Sequence, residues 1–328
     1  MNKTYFPGAN SGRGFFSRFS GIVAPWEGGH YTYVLKGGPG VGKNTLMKKV
    51  AKHATEKGYD VEEFRCASDP SSLDAVRIVQ KGVVLLDGTA PHSIDPVLPG
   101  ICDEVVDLGH FKNQAEFATF KGEVEELFFK NKTHYRTAYS MLGAALSLKK
   151  EALAQAREML DIKKLHTYLS SFFAGESSGE KRELFARSAT PKGVVDYTET
   201  FLPDNTVCFS GIVGEAALCE ALKLFAGKRC EVFYDFLVPE CPRAIVFSKG
   251  AIALADSGDT LKRFCSGVES ENIQFLLSEC ESLTLHACEE LSKSLHTHDE
   301  IEKLYRDYVD YDRVNEESEK LIKRLKLN

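Results

Sequence analysis

Apolar and polar positions along the chain fall into two kinds of pattern. Short β-prone runs crowd the first hundred residues: Tyr31-Thr-Tyr-Val-Leu35, Val61-Glu-Glu-Phe-Arg-Cys66, Val83-Val-Leu-Leu86 and Glu104-Val-Val-Asp-Leu108. The third is continuously apolar, as in a parallel strand buried on both faces. Between them lie helix-forming stretches, and strand–helix alternation predicts an α/β fold with a parallel, three-layer sheet. Elsewhere the period changes. Phe117, Phe120, Val124, Leu127, Phe128, Met141, Leu142, Ala145 and Leu148 fall at helical spacing. The stretch from Asn272 to Leu327 is similar and ends in a charge-rich run. No proline lies between Pro99 and Pro191, and none follows Pro242. Two helical appendages are expected, at about 112–178 and about 270–327, either as amphipathic hairpins or as caps over a sheet.

The chain also resembles itself. Phe6-Pro-Gly-Ala-Asn-Ser-Gly-Arg-Gly-Phe-Phe16 aligns with Phe185-Ala-Arg-Ser-Ala-Thr-Pro-Lys-Gly-Val-Val195. Tyr33–Gly37 then aligns with Val207–Gly211, Gly58–Phe64 with Gly227–Phe233, and Lys81–Asp87 with Lys249–Asp256. The matches keep their order, which predicts two tandem copies of one unit, over residues 1–180 and 181–328.

Gly37-Gly38-Pro39-Gly40-Val41-Gly42-Lys43-Asn44-Thr45 follows a predicted strand and opens a predicted helix. This is the P-loop pattern in its proper context. Glycines let successive backbone N–H groups face one concavity, and the helix N-terminus adds positive potential. Lys43 is expected at the β- and γ-phosphates. Asn44 stands where Ser or Thr would bind Mg²⁺, an exacting octahedral ion. Nucleotide binding is expected to survive this change, with hydrolysis slowed or lost. Asp87, closing an apolar strand, is expected to hold Mg²⁺, usually through water.

Two polar loops accompany the motif, Cys66–Asp74 and Gly88–Pro96. Asp69 and Asp95 have two readings each: positioning a water or accepting a proton, or forming turns and a helix cap. His92 is a candidate γ-phosphate sensor. Arg13 and Lys192 occupy one position of the repeat, either as a basic finger on the other copy's site or as a solvated structural charge. In the second copy Glu215, Ala216 and Ala217 replace Val41, Gly42 and Lys43, and Asp256 arrives one residue late. That copy is expected to lack phosphate chemistry.

Charge sharpens this picture. The 328 residues hold 41 Lys+Arg against 47 Asp+Glu, a net −6. No global field attracts nucleic acid or an anionic membrane, so any affinity for a nucleotide must be local. No apolar run reaches membrane-spanning length, and residues 1–7 lack a signal-peptide core, so a cytoplasmic protein is expected. Of nine cysteines, none forms a Cys-x-x-Cys pair, and buried thiols are expected, with neither bridges nor zinc. His296 and His298, two apart on a helix, point away from each other.

Lys36–Leu46, Cys66–Asp74 and Leu86–Pro96 together resemble the bacterial tandem P-loop proteins described as ATPases, AAA-family ATP-binding proteins or nucleotide kinases. The resemblance covers nearly the whole chain, with Asn44 the main departure. In that family both copies usually keep a P-loop. The resemblance implies a P-loop fold and leaves the substrate open. Three functions remain, in this order: a Mg²⁺-dependent ATPase that moves its helical appendages against a protein partner; a nucleotide or small-molecule kinase; and a non-hydrolysing ATP-binding regulator. GTP is disfavoured, because Asp87-Gly-Thr-Ala is not the Asp-x-x-Gly switch and Asn131-Lys-Thr-His lacks a guanine-reading Asp.

Overall fold

The computed structural model describes residues 2–89, 94–111, 118–255, 263–265 and 270–327. Phe117, His92 and Asp256 lie outside the described residues. The first half runs β1 (Lys3–Tyr5), β2 (Gly8–Ser11), β3 (Gly14–Ser17), β4 (Tyr31–Lys36), α1 (Lys43–Glu56), β5 (Val61–Arg65), β6 (Leu73–Ile78), β7 (Val83–Asp87) and β8 (Asp103–Asp107), then α2 (Lys121–Glu158) and α3 (Ile162–Phe172). The second half runs β9 (Lys181–Phe185), β10 (Arg187–Thr190), β11 (Gly193–Asp196), β12 (Thr206–Phe209), α4 (Gly211–Leu224), β13 (Cys230–Tyr234), β14 (Pro242–Phe247) and β15 (Gly250–Leu254), then α5 (Glu271–Arg306) and α6 (Tyr311–Arg324).

The first sheet has the order β1-β5-β6-β7-β4-β8, the second β12-β15-β14-β13-β9. The strand patterns predicted parallel sheets, and neither sheet is all parallel. β6 opposes β5 and β7, and β14 opposes β13 and β15; every other pairing in these two sheets is parallel. The reason is loop length. Residues 66–72 join β5 to β6, too few for the crossover of a dozen or more that a parallel neighbour needs. The registers of the two halves correspond: Lys3 faces Glu62 and Arg182 faces Glu231, and both halves carry an irregularity between the last two residues of the strand, Phe64/Arg65 and Phe233/Tyr234.

The expected three layers are also corrected. Tyr5, Val34, Phe64, Ala75, Val84 and Leu86 of the first sheet form one buried cluster with Leu184, Phe233, Ala244 and Ala253 of the second. No α-helical residue belongs to it. The sheets therefore pack face to face, and only their outer faces carry helices. Strand alternation explains this arrangement. Val34 turns inward, while Tyr33 and Leu35 turn out toward Leu46, Met47 and Val50 of α1. Within the join, Arg182 is buried and donates to Glu62 (2.9 and 2.8 Å), to Glu231 (2.7 Å) and to the carbonyls of Gly21 and Ile22 (2.7 and 3.0 Å). A third sheet, β11-β10-β2-β3, is made where the two repeat-matched hairpins meet. Phe6 and Phe185 exchange backbone hydrogen bonds of 3.0 Å. Ser11 and Thr190 hydroxyls each donate 2.7 Å bonds across their own turns.

The appendages are not hairpins. α2 and α5, of 38 and 36 residues, pair with each other. At 1.5 Å per residue each is roughly 55 Å long. Contacts Gln155–Asn272, His134–Glu290 and Asn131–Ser294 run antiparallel. Small buried residues, Ala138, Ala145 and Ala152 on α2 and Cys280, Ala287 and Ser294 on α5, let the helices approach. α6 crosses back to the first half, where Val314, Leu321 and Leu325 share a core with Leu35, Val41 and Leu46. The expectation of thiols alone is overturned as well. Cys219 on α4 and Cys241 before β14 form a disulfide, with Cα atoms 5.3 Å apart. Their separation of 22 residues carries no recognisable spacing signal.

Candidate active site

β4 ends at Lys36 and α1 begins at Lys43, so residues 37–42 form the loop the sequence predicted. Gly37, Gly40 and Gly42 have φ of 145°, 71° and 95°. Gly42, left-handed, is the N-cap of α1, and no side chain caps that helix. Its first N–H groups thus lack the usual Ser or Asp acceptor, which suits an anion.

Lys43 folds back on the loop. Its Nζ donates to the carbonyls of Gly37 (2.7 Å) and Gly38 (3.0 Å) and lies 3.7 Å from Asp87 Oδ2. The side chains of Lys43 and Asp87 are 10 % and 19 % exposed, so the pair is largely shielded from water. Burial lowers the Lys43 pKa, against the opposing charges of Asp87 and Glu302. Asp87 sits at the carboxyl end of β7, beside β4, and its Oδ1 accepts from Thr89 N and Oγ1 (2.9 and 2.5 Å).

Asn44 is otherwise engaged. Its Nδ2 donates to Ser72 Oγ at 3.0 Å, and its Oδ1 accepts from Leu73 N at 3.1 Å. These bonds tie the β5–β6 loop to the start of α1. Asn44 Oδ1, the atom of that amide that could face a cation, is taken by Leu73 N, and both oxygens of Asp87 also have partners, Thr89 on Oδ1 and Lys43 near Oδ2. Asp69 lies in the tied loop. Its Oδ1 accepts from Ser71 N (3.0 Å) and Oγ (2.6 Å), and its Oδ2 accepts from Ser72 Oγ (2.5 Å). Burial raises its pKa, but these hydrogen bonds and the charge of Lys192 outweigh it and hold the carboxyl below its ordinary value. This is the turn-forming geometry, and β6 rather than a helix follows. Asp95 is 90 % exposed, and Lys36 holds it at 3.4 Å while also bonding the carbonyls of Gly88 and Ile94. The structure thus gathers Lys43, Asn44 and Asp87 at the loop, with Asp69 linked through Ser72, while Asp95 pairs with Lys36. Lys192, at the β10–β11 turn, acts on Asp69 across the halves, and Arg13 at the β2–β3 turn pairs with Glu240 of the second half.

Sequence reasoning missed the contribution of the C-terminus. Tyr311 Oη donates to the Gly40 carbonyl at 2.8 Å. The charge-rich composition around α6 gave no sign of this contact.

The second half differs at each of these points. α4 starts at Gly211, immediately after β12, so residues 211–216 are helical and no loop forms. Ala217 is fully buried, and Glu215 pairs with Lys149 of α2 at 2.7 Å. Leu254 faces Phe209 as Asp87 faces Leu35, so a buried leucine takes the acid's place. Phe236, Leu237 and Val238 are buried in the loop that corresponds to residues 67–69. One element persists: Cys241 precedes β14 as Ser72 precedes β6, and its bridge to Cys219 ties that loop to α4.

Among known proteins, no family model, no curated protein and no solved structure matches the chain. Among the described residues no cluster of three or more metal-binding side chains occurs, and no helix is long and apolar enough to cross a membrane.

Proposed function

We propose that the chain binds ATP in the first half, through Gly37–Thr45, and acts as a Mg²⁺-dependent ATPase. The observation that carries this reading is Lys43. A shielded lysine is folded onto the carbonyls of a glycine loop between a buried strand and an uncapped helix, 3.7 Å from an acid on the adjacent strand. A polyphosphate would take over those bonds. Asp87 would hold the metal ion, which supplies charge neutralisation at the phosphates. The matching strand orders and registers support a duplicated P-loop unit, related to the tandem P-loop proteins, whose second copy has lost the cradle. The α2–α5 arm exposes Phe128 and Phe129, a surface on which a protein partner would dock.

One observation favours a second reading. Asn44 spends both ends of its amide on the β5–β6 loop, which fits an ATP-binding regulator that does not hydrolyse. Calorimetric titration of ATP into the wild type and Lys43→Ala tests the site, and phosphate release separates the readings. Tight binding lost in Lys43→Ala supports the cradle; equal binding by both proteins refutes it. Steady phosphate release selects the ATPase, and binding without release selects the regulator.

A further inference from the structure

The loop Gly37–Thr45 is not lined by the first half alone. α5 ends, and α6 begins, directly on it. A Cβ placed on Gly40 would stand 3.3 Å from the Glu302 carbonyl oxygen and 3.5 Å from Arg306 Cγ. One placed on Gly42 would stand 3.2 Å from Val314 Cγ1. Tyr311 is bonded to the Gly40 carbonyl, and Val309 and Val314 share a buried core with Val41 and Leu46. Residues 302–314 are thus seated on the loop by packing as well as by polar contacts.

Two opposite charges stand at its lip. Arg306 Nη2 bonds Glu302 Oε2 at 3.1 Å, and the Arg306 side chain remains 59 % exposed. Glu302 also acts electrostatically on Lys43. Glu302 thus pairs directly with an arginine at the rim, lies 3.9 Å from His298 Nε2 through its other oxygen, and acts on the cradle lysine only at longer range. An incoming polyphosphate would be repelled by Glu302 and attracted by Arg306, whose planar fork matches phosphate oxygens better than an ammonium does.

We propose that Arg306, carried by the second half, is a phosphate-binding residue of the first half's site, and that Glu302 holds it until nucleotide arrives. This rests on the reading of Gly37–Thr45 as a nucleotide cradle. When ATP binds, its phosphates displace Glu302 from the guanidinium, so Glu302 opposes binding and Arg306 favours it.

The test is a titration of ATP into the full-length protein at fixed Mg²⁺, with Arg306→Ala, Arg306→Lys, Glu302→Gln and Lys43→Ala. A charge-assisted hydrogen bond of this kind corresponds to roughly 10- to 100-fold in affinity. Arg306→Ala should weaken ATP by about that factor, and Arg306→Lys should recover part of it. Glu302→Gln should tighten ATP, an opposite sign that a folding defect cannot imitate. If Arg306→Ala binds ATP like the wild type while Lys43→Ala does not bind, the role of Arg306 is overturned and the cradle stands. Weaker binding by Glu302→Gln overturns the opposing role of Glu302. A wild-type protein that does not bind ATP removes the cradle reading and this proposal together.

Discussion

Asn44→Ser removes two hydrogen bonds and installs the hydroxyl that a P-loop normally offers to Mg²⁺, so stability and turnover should move in opposite directions. The bonds lost are those to Ser72 Oγ (3.0 Å) and from Leu73 N (3.1 Å). A net hydrogen bond contributes about 1 kcal/mol, and Leu73 is a buried residue whose N–H would lose an acceptor, so the total should be about 1–3 kcal/mol. In a chain of this size that is a fall in melting temperature of a few degrees. Turnover should rise. A tenfold increase in phosphate release would correspond to about 1.4 kcal/mol of transition-state stabilisation, a modest demand on a direct metal ligand. Scanning calorimetry and a phosphate-release assay on the same preparation read both effects. If Asn44→Ser melts with the wild type, the tie between loop and helix contributes nothing. If it melts lower but releases phosphate no faster, Asn44 is a structural residue and Mg²⁺ use is limited elsewhere.

Three other outcomes follow from the packing. Cys241→Ser should destabilise the protein by about 3 kcal/mol, from the 22-residue separation the bridge closes, with the difference from wild type vanishing in reductant during denaturant titration. Leu321→Ala, at a site 2 % exposed in the core of the first half, should cost about 2–5 kcal/mol in the same titration. It should also weaken ATP, because α6 seats Tyr311 on the loop. Asp69→Asn should alter the acid limb of stability. Its folded pKa lies below the ordinary 3.8, so its contribution is present above 3.8 and disappears as pH falls through the lower folded value. Wild type and variant should therefore differ most near neutral pH and converge once the pH has fallen below the folded value in acid-melting curves.

Much of the site was legible because its chemistry is local. A glycine loop, a lysine and a following helix are contiguous, and β7 with its terminal Asp87 is a four-residue apolar run. The hairpins that meet in the third sheet were legible as a repeat because both keep a hydroxyl and a glycine at the same turn positions, Ser11 and Gly14, Thr190 and Gly193. What escaped depends on distant partners. β6 reads Leu-Asp-Ala-Val-Arg-Ile, and its polar residues disguised a strand buried at every position. Arg77 tolerates burial because Glu62, on the neighbouring strand, pairs with it at 2.9 Å. Strand alternation showed that both sheet faces are apolar, but helices on both sides would satisfy that pattern as well as a second sheet does. The long helices carried a correct period, yet periodicity cannot say which apolar face meets which. The small residues that match α2 to α5 lie well over a hundred positions apart.

The contrast between the halves means that one substitution would not give the second half the proposed cradle. Returning a lysine at Ala217 would leave the helix starting at Gly211, with no loop whose N–H groups could converge on an anion. The position of Asp87 would still be held by Leu254, and Phe236, Leu237 and Val238 would still fill the neighbouring loop. The new ammonium would enter a fully buried position next to apolar groups, where its charged form is disfavoured. Yet the second half also ties that loop to its helix, there by a disulfide. The two halves thus share the tie between loop and helix and differ in the glycine loop, the lysine and the acid proposed to bind phosphate. The second half also contributes to the first: its terminal helix shares the core behind α1, and Tyr311 donates to the Gly40 carbonyl. A terminal helix seated on the loop of the first half is not available to cover the corresponding stretch of the second, where residues 211–216 are already helical.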